Sequence, residues 1–234
     1  MTRFLMAVLA PTAVTMLAAC GNVQERGISA TASVRVPATQ DARQTEGATT
    51  FFGTASGAAR KILYVVDGSG SMTDYFDCAK YELKRSISRL DEGKEFHVIF
   101  FSSGTPVEMR ARGLVPATAR NKQAALEFVD GMVAQGETDP SEALERAFVC
   151  KPDLIYLLSD DEFEDGVVHL VGRLNAGRKV TVHTFGFIWK NAKRFERSDG
   201  VVFKTVEKAM RQIAEQNGGM YKFVSHEDLP KPPK

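Results

Sequence analysis

The chain has one tryptophan, three cysteines and almost no net charge, +1 from 30 basic and 29 acidic residues. Arg3 is the only charge before position 20, so without that segment the two signs balance. Nucleic-acid binders usually carry a clear basic excess, and this chain has none. No P-loop and no zinc-ligand spacing occurs. Gly68-x-Gly70-x-x-Thr73 lacks the third glycine of a dinucleotide fingerprint. Neither Ser69 nor Ser71 has the glycine two residues earlier that a nucleophile elbow requires. Of the four histidines, His97 and His183 fall inside predicted strands, in the core or on a sheet face rather than beside a nucleophile. What the chain does have is length: 234 residues, 44% hydrophobic and 25% charged, enough to bury a core and carry extra segments.

The N-terminus has three zones. Met1-Thr2-Arg3 is basic, Phe4 to Met16 is apolar with Pro11 inside it, and Leu17-Ala18-Ala19-Cys20-Gly21 follows. That order is the pattern of a secretory signal. The apolar run is short of the roughly 20 residues a membrane span needs. Leu-Ala-Ala-Cys resembles the bacterial lipobox. The resemblance implies removal of residues 1–19, acylation of Cys20 and anchoring in a lipid bilayer by two or more acyl chains. An ordinary signal with an incidental cysteine, or an uncleaved anchor, are the alternatives. Gly21 after the cysteine is similar to lipoproteins sent to an outer membrane. The expected location is therefore a bacterial envelope, facing periplasm or exterior. Cys78 and Cys150 are left. An oxidising compartment permits pairing, but they fall near opposite edges of the expected sheet, and a bridge needs alpha carbons under about 7 Å apart. Two buried free thiols are expected.

Residues 20–60 are rich in Ala, Thr, Ser, Gly and Gln and read as a flexible tether. Phe51-Phe52 is its one apolar spot, either a first short strand or a docking contact. From Lys61 strands and helices alternate. Lys61 to Val66, Glu95 to Phe101, Asp153 to Ser159, Lys179 to Phe187 and Met220 to Val224 read as strands, with a short edge strand at Val107 to Arg110. Phe76, Ala79, Leu83, Ile87 and Leu90 mark an amphipathic helix, with Asp74 expected as its cap. Thr118 caps a second helix, and Asp139-Pro140 with Glu142 opens a third. Further helices are predicted over 166–176 and 202–217. This alternation predicts an α/β fold: a doubly wound, mostly parallel sheet between two helical layers. Ligands in such sheets sit at the carboxyl ends of the strands. The folded domain is expected over 61–226, followed by a polar tail, 227–234.

One stretch carries the chemistry. The first strand ends in Asp67-Gly68-Ser69-Gly70-Ser71, which places three hard oxygens in a tight turn. Such oxygens suit Mg2+ or Mn2+ rather than zinc or copper. The D-x-S-x-S run resembles the metal-ion-dependent adhesion site of von Willebrand factor type A (VWA) domains. That resemblance covers about 61–226 and implies a six-stranded sheet of order 3-2-1-4-5-6. It also implies two further ligand loops, matched by Thr138 in Gly136-Glu137-Thr138-Asp139 and by Asp160 after Leu157-Leu158-Ser159. Asp67, Ser69, Ser71, Thr138 and Asp160 are thus the expected metal residues, for Mg2+ or else Mn2+ or Ca2+. In the family, hydroxyls bind the ion and leave it open to an acidic side chain of a partner protein. The chain departs from the family after Asp160, where glycine is usual. Asp161, Glu162, Phe163, Glu164 and Asp165 stand there instead. They read as a solvated acidic loop, as a second cation site, or as a group that repels an acidic partner. Asp161 is a possible partner contact. So is Trp189, which is flanked by Lys190, Lys193, Arg194 and Arg197; Trp189 could equally just cover the sheet edge.

The expected function is a membrane-anchored binding module, not an enzyme. A structural component with a vestigial site is the alternative. A Mg2+-dependent phosphohydrolase is a weaker one, because Ser69 occupies the place of its general acid.

Overall fold

A computed structural model describes residues 49–110, 112–161, 163–187, 201–225 and 229, all within the unit Gln44–Lys234. Cys20, the signal segment, most of the tether, Glu162, Trp189 with its basic neighbours and the tail 230–234 lie outside the described residues. Among the described residues no helix is long and apolar enough to cross a membrane.

The elements are β1 (Thr50–Phe51), β2 (Thr54–Ala55), β3 (Lys61–Asp67), α1 (Phe76–Ser88), β4 (Glu95–Phe101), β5 (Val107–Glu108), β6 (Val115–Pro116), α2 (Ala119–Asp130), α3 (Ser141–Val149), β7 (Leu154–Ser159), α4 (Asp165–Leu174), β8 (Thr181–Phe187), α5 (Val201–Gln216) and β9 (Tyr221–Val224). The main sheet runs β5-β4-β3-β7-β8-β9, with β6 also paired to β4. Apart from the two-residue β6, this is the expected 3-2-1-4-5-6 order. β3, β4, β7, β8 and β9 are parallel, while β5 and β6 pair antiparallel along the outer edge of β4. That makes seven strands rather than six, because β6 is too short to leave a period in the sequence.

The central strands are apolar on both faces because both faces are covered. Ile62, Tyr64 and Val66 of β3 pack with Ala79, Leu83 and Ile87 of α1 and with Ala125 and Val129 of α2. Leu63 and Val65 pack on the other side with Ala143, Leu144 and Ala147 of α3, Val171 of α4 and Ile213 of α5. Three layers result, with the sheet in the middle.

The first face has a second cover. The β1–β2 hairpin inserts Phe51, 0% exposed, among Tyr64, Tyr156 and Phe185, at ring distances of 5.1–5.4 Å. Phe52 packs on Phe185 and Phe187. The hairpin backbone is held by Glu82, which accepts from the Phe52 N–H, and by Lys222, which donates to the Phe52 carbonyl. Residues 49–55 therefore belong to the packed unit, upstream of the expected start at Lys61. Of the two readings of Phe51-Phe52, the strand is the one observed.

Thr118 accepts from the Asn121 N–H, as expected of a cap. Asp74 does not cap α1: it ends a 3-10 helix, Gly70–Asp74, and Tyr75 occupies the cap position, with no side-chain capping bond to the helix. Cys78 and Cys150 are unpaired, and both are half-buried rather than buried. His97 is buried and bonded to Glu108, and His183 accepts from the Met220 N–H through Nδ1.

Candidate functional site

Parallel register brings two of the proposed loops together. Val66 of β3 lies opposite Leu158 of β7, so Asp67 and Ser159 follow side by side at the carboxyl ends. The sheet order diverges between these strands, which is where a doubly wound sheet opens a crevice.

Asp67 is fully buried, and both of its carboxylate oxygens are engaged. Oδ1 accepts from the Ser69 N–H at 2.8 Å, closing an Asx turn, and Oδ2 accepts from Ser159 Oγ. Ser159 Oγ in turn accepts from the Asp161 N–H at 3.1 Å. Ser69 Oγ and Ser71 Oγ are 2.9 Å apart, and Ser71 Oγ donates to Asp160 Oδ1 at 2.8 Å. A hydroxyl has one proton. With the Ser71 proton on Asp160, the proton of the Ser69–Ser71 contact comes from Ser69. Hydrogen bonds thus connect the two loops, Asp67 to Ser159 and Ser71 to Asp160.

The third loop grips the first through its backbone. The Gln135 N–H donates to the Gly68 carbonyl at 2.8 Å, and the Gly70 N–H donates to the Gly136 carbonyl at 2.9 Å. Gly136 has φ +83°, and a Cβ there would lie 2.5 Å from Ser103 Oγ, so glycine is required. Thr138 stands on this loop, half-buried, and its hydroxyl has no hydrogen-bond partner among the described residues. It does not join the hydrogen-bonded cluster. Asp139 stands one residue before the cap position of the next helix, which Pro140 rather than Asp139 occupies, and its Oδ1 accepts from the Ser141 N–H at 2.9 Å. Ser159 is the site residue that the sequence reading passed over. Its signal was a hydroxyl at the last strand position before Asp160.

Residues 62–152 match the family model of the von Willebrand factor type A domain. That stretch is similar to a VWA domain, and the fold of the chain is VWA-like. Its fold is shared with solved structures at low identity. A von Willebrand factor type A protein from Catenulispora acidiphila is 24% identical with a TM-score of 0.56, over 73% of this chain and 39% of the other. The chain thus spans well under half the length of that protein. The SpRpn10 VWA domain is 10% identical with a TM-score of 0.50, over 71% of this chain and 88% of the other. The PilB minor pilin from Streptococcus sanguinis is 12% identical with a TM-score of 0.50, over 74% and 59%. Among curated proteins no match was found.

The electrostatics of these strand ends are one-sided. Burial first, and then the Asp67 charge, raise the Asp160 carboxyl to about 7, against the hydrogen bond from Ser71. Asp67 is also raised, first by burial, with bonds from Ser159 and Ser69 opposing. Asp161 pushes both the same way, so every charge acting on the pair is negative. A cation is the group that would relieve it. The hydroxyl protons are engaged inside the cluster, which leaves oxygen lone pairs for an ion. Among the described residues no three His, Cys, Asp or Glu side chains gather as a metal cage. The donor set is two carboxylates with hydroxyls, all hard oxygen, and it fits Mg2+ or Mn2+ and not a soft ion.

Beside the cluster, Asp161 is exposed and Phe163 is buried against Phe101, with ring centroids 6.3 Å apart. The acidic loop is therefore pinned by its one aromatic residue.

Proposed function

We propose that this VWA domain binds a protein partner through a divalent cation held by Asp67, Ser69, Ser71, Thr138 and Asp160. The observation that carries the reading is the Ser71–Asp160 hydrogen bond between two distant loops, set against a carboxylate pair with only negative neighbours. When bound, the ion supplies a Lewis-acidic position that accepts a carboxylate from the partner. The chain's own residues hold and orient the oxygens: Asp67 fixes the turn through the Ser69 N–H, and Ser159 fixes Asp67. Asp161, exposed beside the cluster, is placed to contact the partner or to restrict which acidic groups approach. On this reading the domain is a binding module and not an enzyme. Acylated Cys20 would anchor it to the bacterial envelope.

Affinity capture from native membranes tests the proposal. Partners retained in Mg2+ should be released by EDTA and absent with Ser71→Ala or Thr138→Ala, while both variants keep the wild-type melting profile. Equal capture in EDTA would overturn it.

A further inference from the structure

We propose that the groove between the β5–β6 edge and α2 binds an acidic peptide carrying an apolar side chain, independently of the cation site. The groove has a volume of about 660 Å³, inside the roughly 300–1,000 Å³ of ligand clefts. Its floor is apolar, with Met109, Val115 and Phe128 among its lining residues. Arg110 and Arg120 stand on it, both exposed, and neither has an ion pair or hydrogen bond among the described residues.

The groove is a local charge excess in a chain that is otherwise balanced. Residues 110–122 contain Arg110, Arg112, Arg120 and Lys122 and no acid. Lys122 is engaged with the carbonyls of Ser88 and Leu90. Of the two acids lining the groove, Glu108 is already bonded to His97 and Arg146. Only Glu127 is left to offset two guanidiniums. Arg120 also sits in the first turn of α2, where the helix end is positive and an acid is favoured; α2 has no acid there. A carboxylate in the groove would relieve that repulsion and take the guanidinium fork in two parallel bonds.

The recessed floor selects a peptide over a bilayer. The exposed large hydrophobic residues among those described are Val107, Val133, Val149, Met220 and Phe223, and none lies within 109–128. Val107 of β5 is exposed beside the groove but does not line it. Met109, Val115 and Phe128 are buried or half-buried, so one apolar side chain between two acids reaches them where a flat bilayer does not.

The test uses the full chain with Ser71→Ala, in EDTA, so that it does not depend on the cation reading. The probe is a fluorescein-labelled peptide of alternating Asp and Leu, with an Asn-Leu peptide as control. The acidic peptide should bind, weaken as salt rises, and shift the amide resonances of Ala124 and Phe128 but not that of Ser69. Arg110→Glu with Arg120→Glu should lower its affinity by about tenfold or more, the scale of losing a charge-assisted hydrogen bond. Melting profiles confirm folding, and the resonance shifts test the groove without any substitution. Equal binding of the Asn-Leu peptide, shifts confined to other surfaces, or an unchanged affinity in the double variant would each overturn the proposal. So would co-sedimentation with phosphatidylglycerol vesicles in the absence of peptide binding.

Discussion

Ser71 Oγ donates to Asp160 Oδ1 at 2.8 Å across 89 residues of sequence. The bond joins the loop after β3 to the end of β7, and its acceptor is one of two carboxylates that repel. Removing either partner should separate ion binding from folding. Ser71→Ala should lower Mg2+ affinity at least about tenfold, with the loss of a charge-assisted bond, and leave the metal-free melting temperature nearly unchanged. Asp160→Asn should also lose Mg2+. Without metal it should be more stable than wild type by about 1 kcal/mol, after discounting the raised carboxyl for solvent screening. Calorimetric melts with and without Mg2+ check both. A destabilised metal-free Asp160→Asn would contradict the like-charge account.

Gly136 holds the third loop against the first. Gly136→Ala meets both a positive φ and the Ser103 hydroxyl. It should cost about 1–3 kcal/mol in urea unfolding and weaken Mg2+ binding together, because the Gly136 carbonyl accepts from the Gly70 N–H. Wild-type stability in this variant would show that the loop tolerates a side chain.

Phe51 closes a sheet face on β7 and β8. Phe51→Ala should cost about 3–5 kcal/mol. A chain beginning at residue 61 should lose cooperative unfolding that a chain beginning at residue 44 retains. Circular-dichroism melts of the two chains decide this.

His97 sets a pH dependence. Burial holds its imidazole below the ordinary 6.5, although Glu108 pulls the other way. The folded chain therefore resists a proton that the unfolded chain accepts. Stability is fully present above about 6.5 and is lost as pH falls from there toward the folded value. Glu108, held low by Arg146 and His97 against burial, adds a loss in the same direction at more acid pH. Asp67 and Asp160 act in the opposite sense, and His183 in the same sense. The test is thus the difference between wild type and His97→Asn. That difference should shrink between pH 7.5 and pH 5.5 in urea titrations; a constant difference would refute it.

The fold class was legible because fully buried parallel strands read as continuous apolar runs, as in Lys61 to Val66 and Asp153 to Ser159. The meeting of Asp67, Ser69, Ser71 and Asp160 was legible because each polar residue ends an apolar strand run or stands in the turn right after it, whereas Thr138 stays outside their hydrogen bonds. The hairpin was not legible, since Phe51-Phe52 stands in a polar stretch and two-residue strands show no alternation. Asp74 misled because a 3-10 turn, with the Tyr75 N–H bonded to the Met72 carbonyl at 2.8 Å, precedes the helix and moves its start. Ser159 was hidden because its role depends on the β3–β7 register, which no local pattern encodes.

The most direct measurement is isothermal titration of Mg2+ into the metal-free full chain beside Ser71→Ala. The account predicts saturable one-site heat and a raised melting temperature for wild type, with neither in the variant. An absence of heat and of thermal shift in folded wild-type protein, for Mn2+ as well as Mg2+, would contradict it.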